Sequence, residues 1–338
     1  MSSFAFYFDK ENSSMKIDVH FNLWNQCGWN ETFLDTGVML YDVEKDCKLY
    51  IRFPFKFDRE DVVSLDDALD SIDTLSVIFN ESCTTSGKSQ SKWISISNGS
   101  GKKFNIYKVD ISDNGQLELS DVECDTLATI TIPRPDNDFH DVYIRFRVKI
   151  TQGTSIIRSY DRPYKFIRGI FQKSYIIDFR YNDKRSFSKN AIEKIEKHYN
   201  WANTQKIHFL LMSNASVNVE CGGSVKKRML EGNAWAKYLN VSTVSDDIIA
   251  YHATARIDDK KSEPMAENKG ESIESWEFFA KQYVEDINKF KFSIFMLVTI
   301  SVGIFCSVVS NPIYSFICKL WDYILRAISC FIVFLRFG

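Results

Sequence analysis

The residues of this chain best suited to bind a ligand are basic and lie in its middle. Lys226, Lys227 and Arg228 follow the sequence Cys221-Gly222-Gly223 and are predicted to open a helix. A glycine turn that leads into a helix N-terminus exposes backbone amides, and adjacent basic side chains add the charge that holds phosphate. Aromatic rings could stack on nucleobases. Further candidates for this nucleotide or oligonucleotide site are Arg180, Lys184, Arg185, Trp201 and Trp235.

The same basic segment has two other interpretations. Residues 164–237 contain 14 Lys and Arg against 6 Asp and Glu, a net charge of +8, whereas residues 1–163 contain 18 against 26, a net charge of −8. The basic face could therefore dock on the acidic part of the same or a neighbouring subunit. It could also contact anionic lipid headgroups. These alternatives stay open beside phosphate sensing.

Catalytic and metal-binding patterns are weak in this sequence. Gly87-Lys88-Ser89 resembles the end of a phosphate-binding loop, but Ser82 stands where the loop requires its first glycine, so we interpret the segment as an ordinary loop. The five histidines lack metal-ligand spacing, and we interpret His208 and His252 as core residues of strands. The acidic residues of the segment 66–73 fit a solvated face better than a metal cluster. We predict a protein without enzymatic activity, metal or cofactor.

Four polar side chains near the C-terminus could line a pore. Lys319 and Asp322 are spaced i,i+3 and Asp322 and Arg326 are spaced i,i+4, so in a helix they share one face with Ser315. A charge at the centre of a bilayer costs about 2.5 kcal/mol or more unless it meets water or protein. We favour a pore-lining or bundle-facing helix. The alternatives are an amphipathic helix in the headgroup plane and a simple anchor with snorkelling charges.

These charges belong to the second of two apolar stretches, Phe292–Val309 and Ile313–Phe334, which the turn Ser310-Asn311-Pro312 joins. About 18 apolar residues suffice for a helix to cross the hydrocarbon core of a membrane. We predict a transmembrane helix at residues 292–310 and a second transmembrane or interfacial amphipathic helix at residues 313–335.

The flanking residues predict where the soluble part lies. Lys289 and Lys291 precede the first stretch and Arg336 follows the second, which favours a cytoplasmic location for both ends. Residues 1–30 lack the basic start and apolar core of a secretory signal. The eight cysteines include no C-x-x-C pair, which favours reduced thiols. We expect a cell-membrane protein with a cytoplasmic soluble domain.

The pattern before the tail predicts an α+β fold in two parts. Short alternating or aromatic runs in residues 1–163 predict an acidic antiparallel β-sandwich. They are Phe4–Phe8, Lys16–Trp24, Gly37–Val43, Lys48–Phe55, Leu75–Phe79, Trp93–Asn98, Lys103–Ile111, Leu127–Pro133 and Val142–Ile150. Residues 164–257 predict a small basic α+β sensor module. Its elements are a hairpin (Tyr164–Phe171 and Ser174–Tyr181), a helix from a Ser188 cap to Trp201, a strand (Lys206–Met212), a helix (Ser224–Leu239) and a strand (Ile248–Arg256).

Two further segments are predicted to connect this module to the tail. Residues 258–271 are rich in Lys, Glu, Asn and Gly and indicate a polar linker. In residues 272–291, apolar side chains from Ile273 to Phe290 recur at helical spacing and predict a membrane-proximal helix. Such a helix would transmit movement between the soluble part and the membrane.

In layout the chain resembles the transmembrane effectors of Hailong-type anti-phage systems. The features that carry the resemblance are the β-rich start Phe4–Phe8, the basic helix start at Lys226 and the paired tail spans. The resemblance implies a bacterial inner-membrane ion channel and a partner nucleotidyltransferase. That enzyme would make a short DNA oligomer that keeps the channel shut until infection removes it. The same layout also fits effectors that cyclic nucleotides open.

Three hypotheses follow. In the first, a homo-oligomer, with a tetramer favoured, forms a channel in the lipid bilayer that a nucleotide or a short DNA oligomer gates. In the second, the protein is a tail-anchored scaffold that holds a protein partner at the membrane. In the third, the soluble region is a membrane-tethered hydrolase. We favour the first hypothesis.

Overall fold

A computed structural model describes most of the chain. The described residues are 3–12, 15–25, 31–86, 92–150, 154–160, 172–230, 232–239, 247–257, 272–285 and 289–337. The chain forms two compact units, one of Met1–Tyr160 with Ser174–Val284 and one of Asp161–Lys173 with Glu285–Gly338. Three predicted segments lie outside the described residues: the loop Gly87-Lys88-Ser89, the strand Tyr164–Phe171 and the linker 258–271.

The first unit is built mainly from three β-sheets. Within the described residues the largest sheet has ten strands. Their spatial order is β17 (Lys226–Met229), β18 (Ile248–Arg256), β15 (Asn203–Asn214), β2 (Lys16–Trp24), β3 (Thr32–Leu40), β11 (Val142–Ile150), β8 (Lys103–Tyr107), β7 (Trp93–Asn98) and β6 (Cys83–Ser86), with β5 (Val62–Val63) also paired to β11.

The two smaller sheets contain five and four described strands. The first has the order β14 (Tyr199–Trp201), β1 (Ala5–Asp9), β4 (Cys47–Phe53), β10 (Asp125–Ile132) and β9 (Leu117–Val122). The second has the order β12 (Ile157–Ser159), β13 (Gln172–Tyr181), β19 (Trp276–Glu285) and β16 (Asn218–Cys221). The predicted α+β class is therefore confirmed, with β-sheet predominating.

One apolar core joins the three sheets. Alternate residues of each strand point to it, because successive side chains of a strand face opposite sides. Phe179 of β13 stacks on Phe4 with ring centroids 4.8 Å apart and contacts Phe21 of β2 at 4.7 Å. Phe53 of β4 meets Phe4 edge to face at 5.4 Å. Each of these aromatic contacts contributes stability beyond that of the buried area alone. Together they pack one face of the large sheet against the two smaller sheets.

Helices cover the other face of the large sheet. They are α1 (Asp66–Leu69), α2 (Ile72–Phe79) and α4 (Gly232–Leu239), while α3 (Lys189–His198) packs beside β14. The predicted cap of α3 is confirmed, because Ser188 Oγ accepts from the Ala191 amide at 3.2 Å. α2 occupies the segment Leu75–Phe79 in which a strand was predicted. A short apolar run is compatible with a strand or a helix. In the structure the run forms the last part of α2, and Leu75 is buried in the apolar cluster between the helices and the sheet.

The boundary predicted at residue 163 does not separate two folds. β2 from the acidic part pairs in parallel with β15 from the basic part, with His20 opposite His208. β1 pairs with β14, with Tyr7 opposite Trp201. Strands that were predicted to form a separate sandwich therefore share two sheets with strands of the predicted basic module. Parallel pairing joins strands that are distant in sequence, so local patterns give no sign of it.

Lys226, Lys227 and Arg228 form strand β17, where the start of a helix was predicted. Gly223 adopts a φ of +76°, which glycine reaches without strain, in the segment between β16 and β17. β17 then pairs with β18, and Lys226 lies opposite His252. Pairing along the open edge of a sheet satisfies the backbone groups of this segment. The helix, α4, begins only at Gly232.

The predicted membrane-proximal helix at residues 272–291 is also wrong, because strand β19, Trp276–Glu285, occupies half of that interval. Phe278, Ala280 and Gln282 are buried and alternate with more exposed residues, which is the period of a strand. The apolar side chains of this segment fit helical spacing as well. Pairing with β16 decides between the two, with Gln282 opposite Val219.

The second unit ends in one long helix, α5 (Lys289–Phe337), which replaces the two predicted helices at 292–310 and 313–335. The predicted turn at Ser310 to Pro312 lies inside it. Proline removes one backbone donor, but apolar helices tolerate this. Within the described chain, Lys289–Arg326 is the one segment long and apolar enough to cross a membrane, and its side chains are not buried in the protein.

Candidate functional site: a basic cavity on the large sheet

Part of the large sheet is polar on the face opposite the aromatic core, beside the apolar cluster that the helices cover. In β2, Phe21 points into the core, whereas Asp18 and His20 point to the other side. The register extends this polar face into β15, where Lys206 pairs with Asp18 and His208 pairs with His20. The alternation of polar and apolar residues in each strand thus produces a continuous polar surface across neighbouring strands.

A cavity of about 640 Å³ lies on this polar face. The end of α2 and the residues after it, from Val77 to Glu81, form part of its wall together with Trp235 of α4. The charged lining residues are Asp18, Glu81, Lys102, Arg145, Lys206, Lys226, Lys227, Arg228 and Arg256. Seven cations thus face two carboxylates, a formal charge of +5 with neutral histidines.

Most of this positive charge is not neutralised by the protein. Within the described residues, Lys206, Lys226, Lys227 and Arg256 make no ion pair. Arg228 donates to the amide oxygen of Asn80 at 3.1 Å. Burial and the nearby Arg256 guanidinium lower the pKa of Lys206. Both causes disfavour the charged form of the lysine, which an anion beside it would favour.

Three histidines lie among these cations. Nδ1 of His208 is 2.9 Å from Nε2 of His252, and the His20 ring meets that of His208 edge to face with centroids 4.8 Å apart. Burial, followed by the charge of Lys206, lowers the pKa of His208 to about 3. Burial, followed by the charges of Arg228 and Lys226, lowers that of His252 to about 4. All three rings are neutral at pH 7, since the pKa of His20 is also lowered, first by burial.

The floor of the cavity rests on a buried ionic network. Asp35 of β3 accepts from Arg147 Nε at 2.5 Å, from Trp24 Nε1 at 2.7 Å and from the Tyr238 hydroxyl at 2.5 Å. Arg145, which lines the cavity, donates Nε to the Tyr238 hydroxyl at 2.7 Å. Although burial opposes ionisation, Arg147 keeps the pKa of Asp35 below its usual value.

The predicted ligand-binding residues divide into two groups. The basic cavity is lined by Lys226, Lys227 and Arg228 from strand β17 and by Trp235 from α4. All four were predicted to lie on one helix. Arg180, Lys184 and Arg185 do not line this cavity. They form ion pairs with Asp178, Glu196 and Asp183 respectively.

A second cavity, of about 610 Å³, adjoins part of this outlying group. Lys184, Arg185 and Trp201 contribute to its lining, with Lys184 Nζ 5.3 Å from the centre of the Trp201 ring. Asp183 and Glu274 also line it. Carboxylates thus neutralise the cations here, so this cavity lacks the excess positive charge of the first one.

Sequence reasoning missed most of the cavity. Lys102, Arg145, Lys206 and Arg256 are far apart in the sequence, in separate strands or turns, and only the sheet brings them together. The available signal was the alternation of polar and apolar residues in β2, β15 and β18. That signal shows which residues share a face but not which strands are neighbours.

The predicted pore residues lie on α5. Ser315, Lys319, Asp322 and Arg326 all belong to the continuous helix and are exposed within the chain. Their spacing places them along one face, as the sequence indicated.

No protein-family model and no curated protein matches this chain. Among solved structures it is similar to the M1 zinc metallopeptidase from Deinococcus radiodurans, with 9% identity, a TM-score of 0.25 and 82% of this chain covered. A mutant of that enzyme bound to a Tyr-Ser-Ala substrate gives 8% identity and a TM-score of 0.28, again over 82% of this chain. The chain spans 42% of the length of either structure.

Proposed function

We propose that this protein is an oligomeric membrane effector that binds a nucleotide or a short DNA oligomer in the basic cavity and conducts ions through its tail. The observation that supports the proposal is that seven cationic side chains and only two carboxylates line one cavity. Phosphate groups would supply the missing negative charge, and release of their counterions favours binding. In defence against phage, opening of such a channel would disrupt the membrane of the infected cell.

The shape of the site favours a discrete ligand over contact with a lipid surface and over docking on the acidic part of the chain. A volume of about 640 Å³ falls in the range of pockets that enclose small ligands, roughly 300–1,000 Å³. A lipid surface would instead contact an exposed convex or flat patch. Docking on the acidic part of the same chain would neutralise the lysines, yet Lys206 makes no ion pair among the described residues although β2 from that part lies beside it.

Aromatic side chains would complete the recognition of a nucleotide. Phe79 contributes a partly exposed ring to the cavity lining together with the neutral histidines, whereas Phe104 and Trp235 line it but are almost fully buried. Bases stack on such rings with about 1–3 kcal/mol per base and little sequence preference. The site therefore combines charge for phosphates with apolar faces for bases.

The tail suits a membrane anchor that can associate with further copies. From Phe292 to Cys318 there are 27 residues without charge, and as a continuous helix they would extend about 40 Å, beyond the roughly 30 Å of a hydrocarbon core. Lys319, Asp322 and Arg326 would then lie at one end of the span. Several copies around an axis, with a tetramer favoured, would bring these charges together at the mouth of a pore.

Matched charge reversals test the ligand site. In the full chain, solubilised in detergent, Lys226→Glu with Arg228→Glu alters the cavity, and Lys184→Glu with Arg185→Glu makes the same change in charge outside it. Binding of a fluorescein-labelled DNA tetranucleotide and of a labelled cyclic dinucleotide is measured by polarisation. We expect the first pair to weaken binding of at least one probe tenfold or more and to reduce its salt dependence by about 2 in log–log slope.

The control pair should change affinity less than twofold. An equal loss in both pairs would show only that overall charge matters, and absence of binding to the unmodified protein would exclude the proposal. Recordings in planar bilayers separate the channel from a tail-anchored scaffold, because a scaffold produces no conductance. Turnover of nucleotides by the protein would instead support the hydrolase hypothesis.

A further inference from the structure

Two arginines share one carboxylate beneath the basic cavity. The side chains of Arg145 and Arg147 are only 1% and 6% exposed, and that of Asp35 is fully buried. Arg147 binds Asp35 through two nitrogens, at 2.5 and 3.2 Å, whereas the nearest contact of Arg145 with that carboxylate is 3.7 Å. The closest partner of Asp35 among the arginines is therefore Arg147.

Neutral oxygens hold Arg145 in place. Its Nη1 donates to the Tyr143 hydroxyl at 2.8 Å and its Nε donates to the Tyr238 hydroxyl at 2.7 Å. In the orientation that satisfies both of its amide atoms, Asn22 accepts from Arg145 Nη2 at 2.6 Å. Neutral oxygens thus make the close contacts of this guanidinium, and it shares the Asp35 carboxylate with Arg147. Since arginine keeps its charge in proteins, the described network of Asp35 and two arginines carries a net charge of +1.

A net charge away from water is costly, and proteins normally offset it with a counter-charge. Of the two arginines, only Arg145 contributes to the lining of the cavity. The counter-charge for this network can therefore come from an anion in the cavity. A planar guanidinium forms short, paired hydrogen bonds with phosphate oxygens, which suits that role.

We infer that Arg145 is the residue that binds one phosphate group of the ligand at the floor of the cavity, with Tyr238 and Asp35 as positioning residues. The inference rests on the proposed function for the nature of the ligand. The lysines and arginines of β15, β17 and β18 would bind the remaining phosphates. Because the ligand would neutralise a buried charge, a small phosphate anion alone should stabilise the fold.

The test replaces one buried arginine at a time with lysine, which keeps the charge but loses the planar fork. Arg145→Lys changes the cavity floor. Arg52→Lys is the matched control, because Arg52 is equally buried and binds Asp125 at 2.6 Å in the five-stranded sheet. Melting temperatures of the full chain in detergent are measured with and without sodium pyrophosphate, and affinity for the labelled DNA tetranucleotide is measured by polarisation.

Pyrophosphate should raise the melting temperature of the unmodified protein and of Arg52→Lys by several degrees, and that of Arg145→Lys by less than a third as much. Tetranucleotide affinity should fall tenfold or more in Arg145→Lys and less than twofold in Arg52→Lys. If Arg145→Lys does not fold, Tyr238→Phe provides the second variant. It removes the hydroxyl that positions Arg145 and should lower both responses three- to fivefold.

The outcomes separate this inference from the proposed function. Stabilisation by pyrophosphate that depends on Arg145, without binding of nucleotide probes, would support the inference and overturn the nucleotide ligand. If Arg145→Lys and Tyr238→Phe both bind the tetranucleotide as tightly as the unmodified protein does, the inference is overturned. The proposed function still stands in that case. Absence of any response of the unmodified protein to either probe would overturn both.

Discussion

His208 and His252 lie on adjacent strands with stacked rings, and Nδ1 of the first is 2.9 Å from Nε2 of the second. In such a pair one nitrogen donates and the other accepts, so at most one proton can lie between them. Protonation of both rings would break this hydrogen bond and place two more charges beside Lys206 and Arg256. The hydrogen bond is therefore lost when both rings are protonated, and each added proton also places a charge beside these cations, which ties the stability of the cavity to pH.

The first prediction concerns unfolding in acid. An unfolded histidine has a pKa near 6.5, whereas His208 and His252 have pKa values of about 3 and about 4 in the fold. Their contribution is complete above pH 6.5 and is lost as the pH falls towards about 4 for His252 and about 3 for His208, because the unfolded chain binds protons that the folded chain does not. At pH 5 the loss is up to about 2 kcal/mol for each ring.

Urea unfolding of the full chain in detergent, followed by tryptophan fluorescence between pH 7.5 and 4.5, measures this effect. His208→Asn combined with His252→Asn should reduce the pH dependence of the free energy of unfolding over this interval, while His20, whose pKa is also lowered, keeps part of the slope. His198→Asn, an exposed position on α3, is the control and should leave the dependence as it is. A double variant with the same slope as the unmodified protein would contradict the prediction.

The second prediction concerns Gly37, which makes room for the cavity floor. A Cβ at this position would collide with the hydroxyl of Tyr143 and would lie 3.2 Å from Arg145 Nη1. Gly37→Ala should lower stability by about 1–3 kcal/mol, as overpacking of a dense core does. Gly222→Ala is the control, because a Cβ there meets only the Phe279 carbonyl at 3.7 Å.

A double-mutant cycle checks the cause. Tyr143→Phe removes the obstructing hydroxyl, so the double variant should be at least about 1 kcal/mol more stable than the sum of the two single changes predicts. Unfolding free energies from urea titrations provide the four values. Additive effects would show that Gly37 is required for a reason other than contact with Tyr143.

The sequence predicted best those elements whose pattern is local. The bounds of β2 and β18 match the predicted runs Lys16–Trp24 and Ile248–Arg256, because one face of each strand is buried and the other is polar. The cap at Ser188 was also predictable, since its side chain acts within three residues. The parallel pairing of β2 with β15 was not, because it depends on how distant segments meet.

The cavity was only partly predictable for the same reason. The three consecutive basic residues Lys226 to Arg228 are visible as a cluster in the sequence, and they line the cavity. Arg145 lies between apolar residues of β11, where an arginine more often points to solvent. Its burial follows from the covering helix α4, which supplies Tyr238. Sequence patterns cannot indicate that a helix 93 residues away covers a given strand.

The third prediction distinguishes a single span from the hairpin of two spans that the turn at Ser310 to Pro312 suggested. In a continuous helix Cys306 lies near the middle of the uncharged segment from Phe292 to Cys318, and Cys318 lies at its end, next to Lys319. In a hairpin both cysteines would lie within the hydrocarbon core, on either side of the turn. Their access to water therefore differs between the two arrangements.

Single-cysteine variants of the full chain in permeabilised membranes, labelled with a maleimide that does not cross lipid, test this difference. Cys124, which is exposed in the first unit, is the reference for complete labelling. We expect Cys318 to react at a rate within about threefold of Cys124 and Cys306 to react at least tenfold more slowly, because the thiolate forms only where water is present. Equal protection of Cys306 and Cys318 would restore the hairpin. In that case the charges at Lys319 to Arg326 would lie within the bilayer and would need water or protein around them along their whole length.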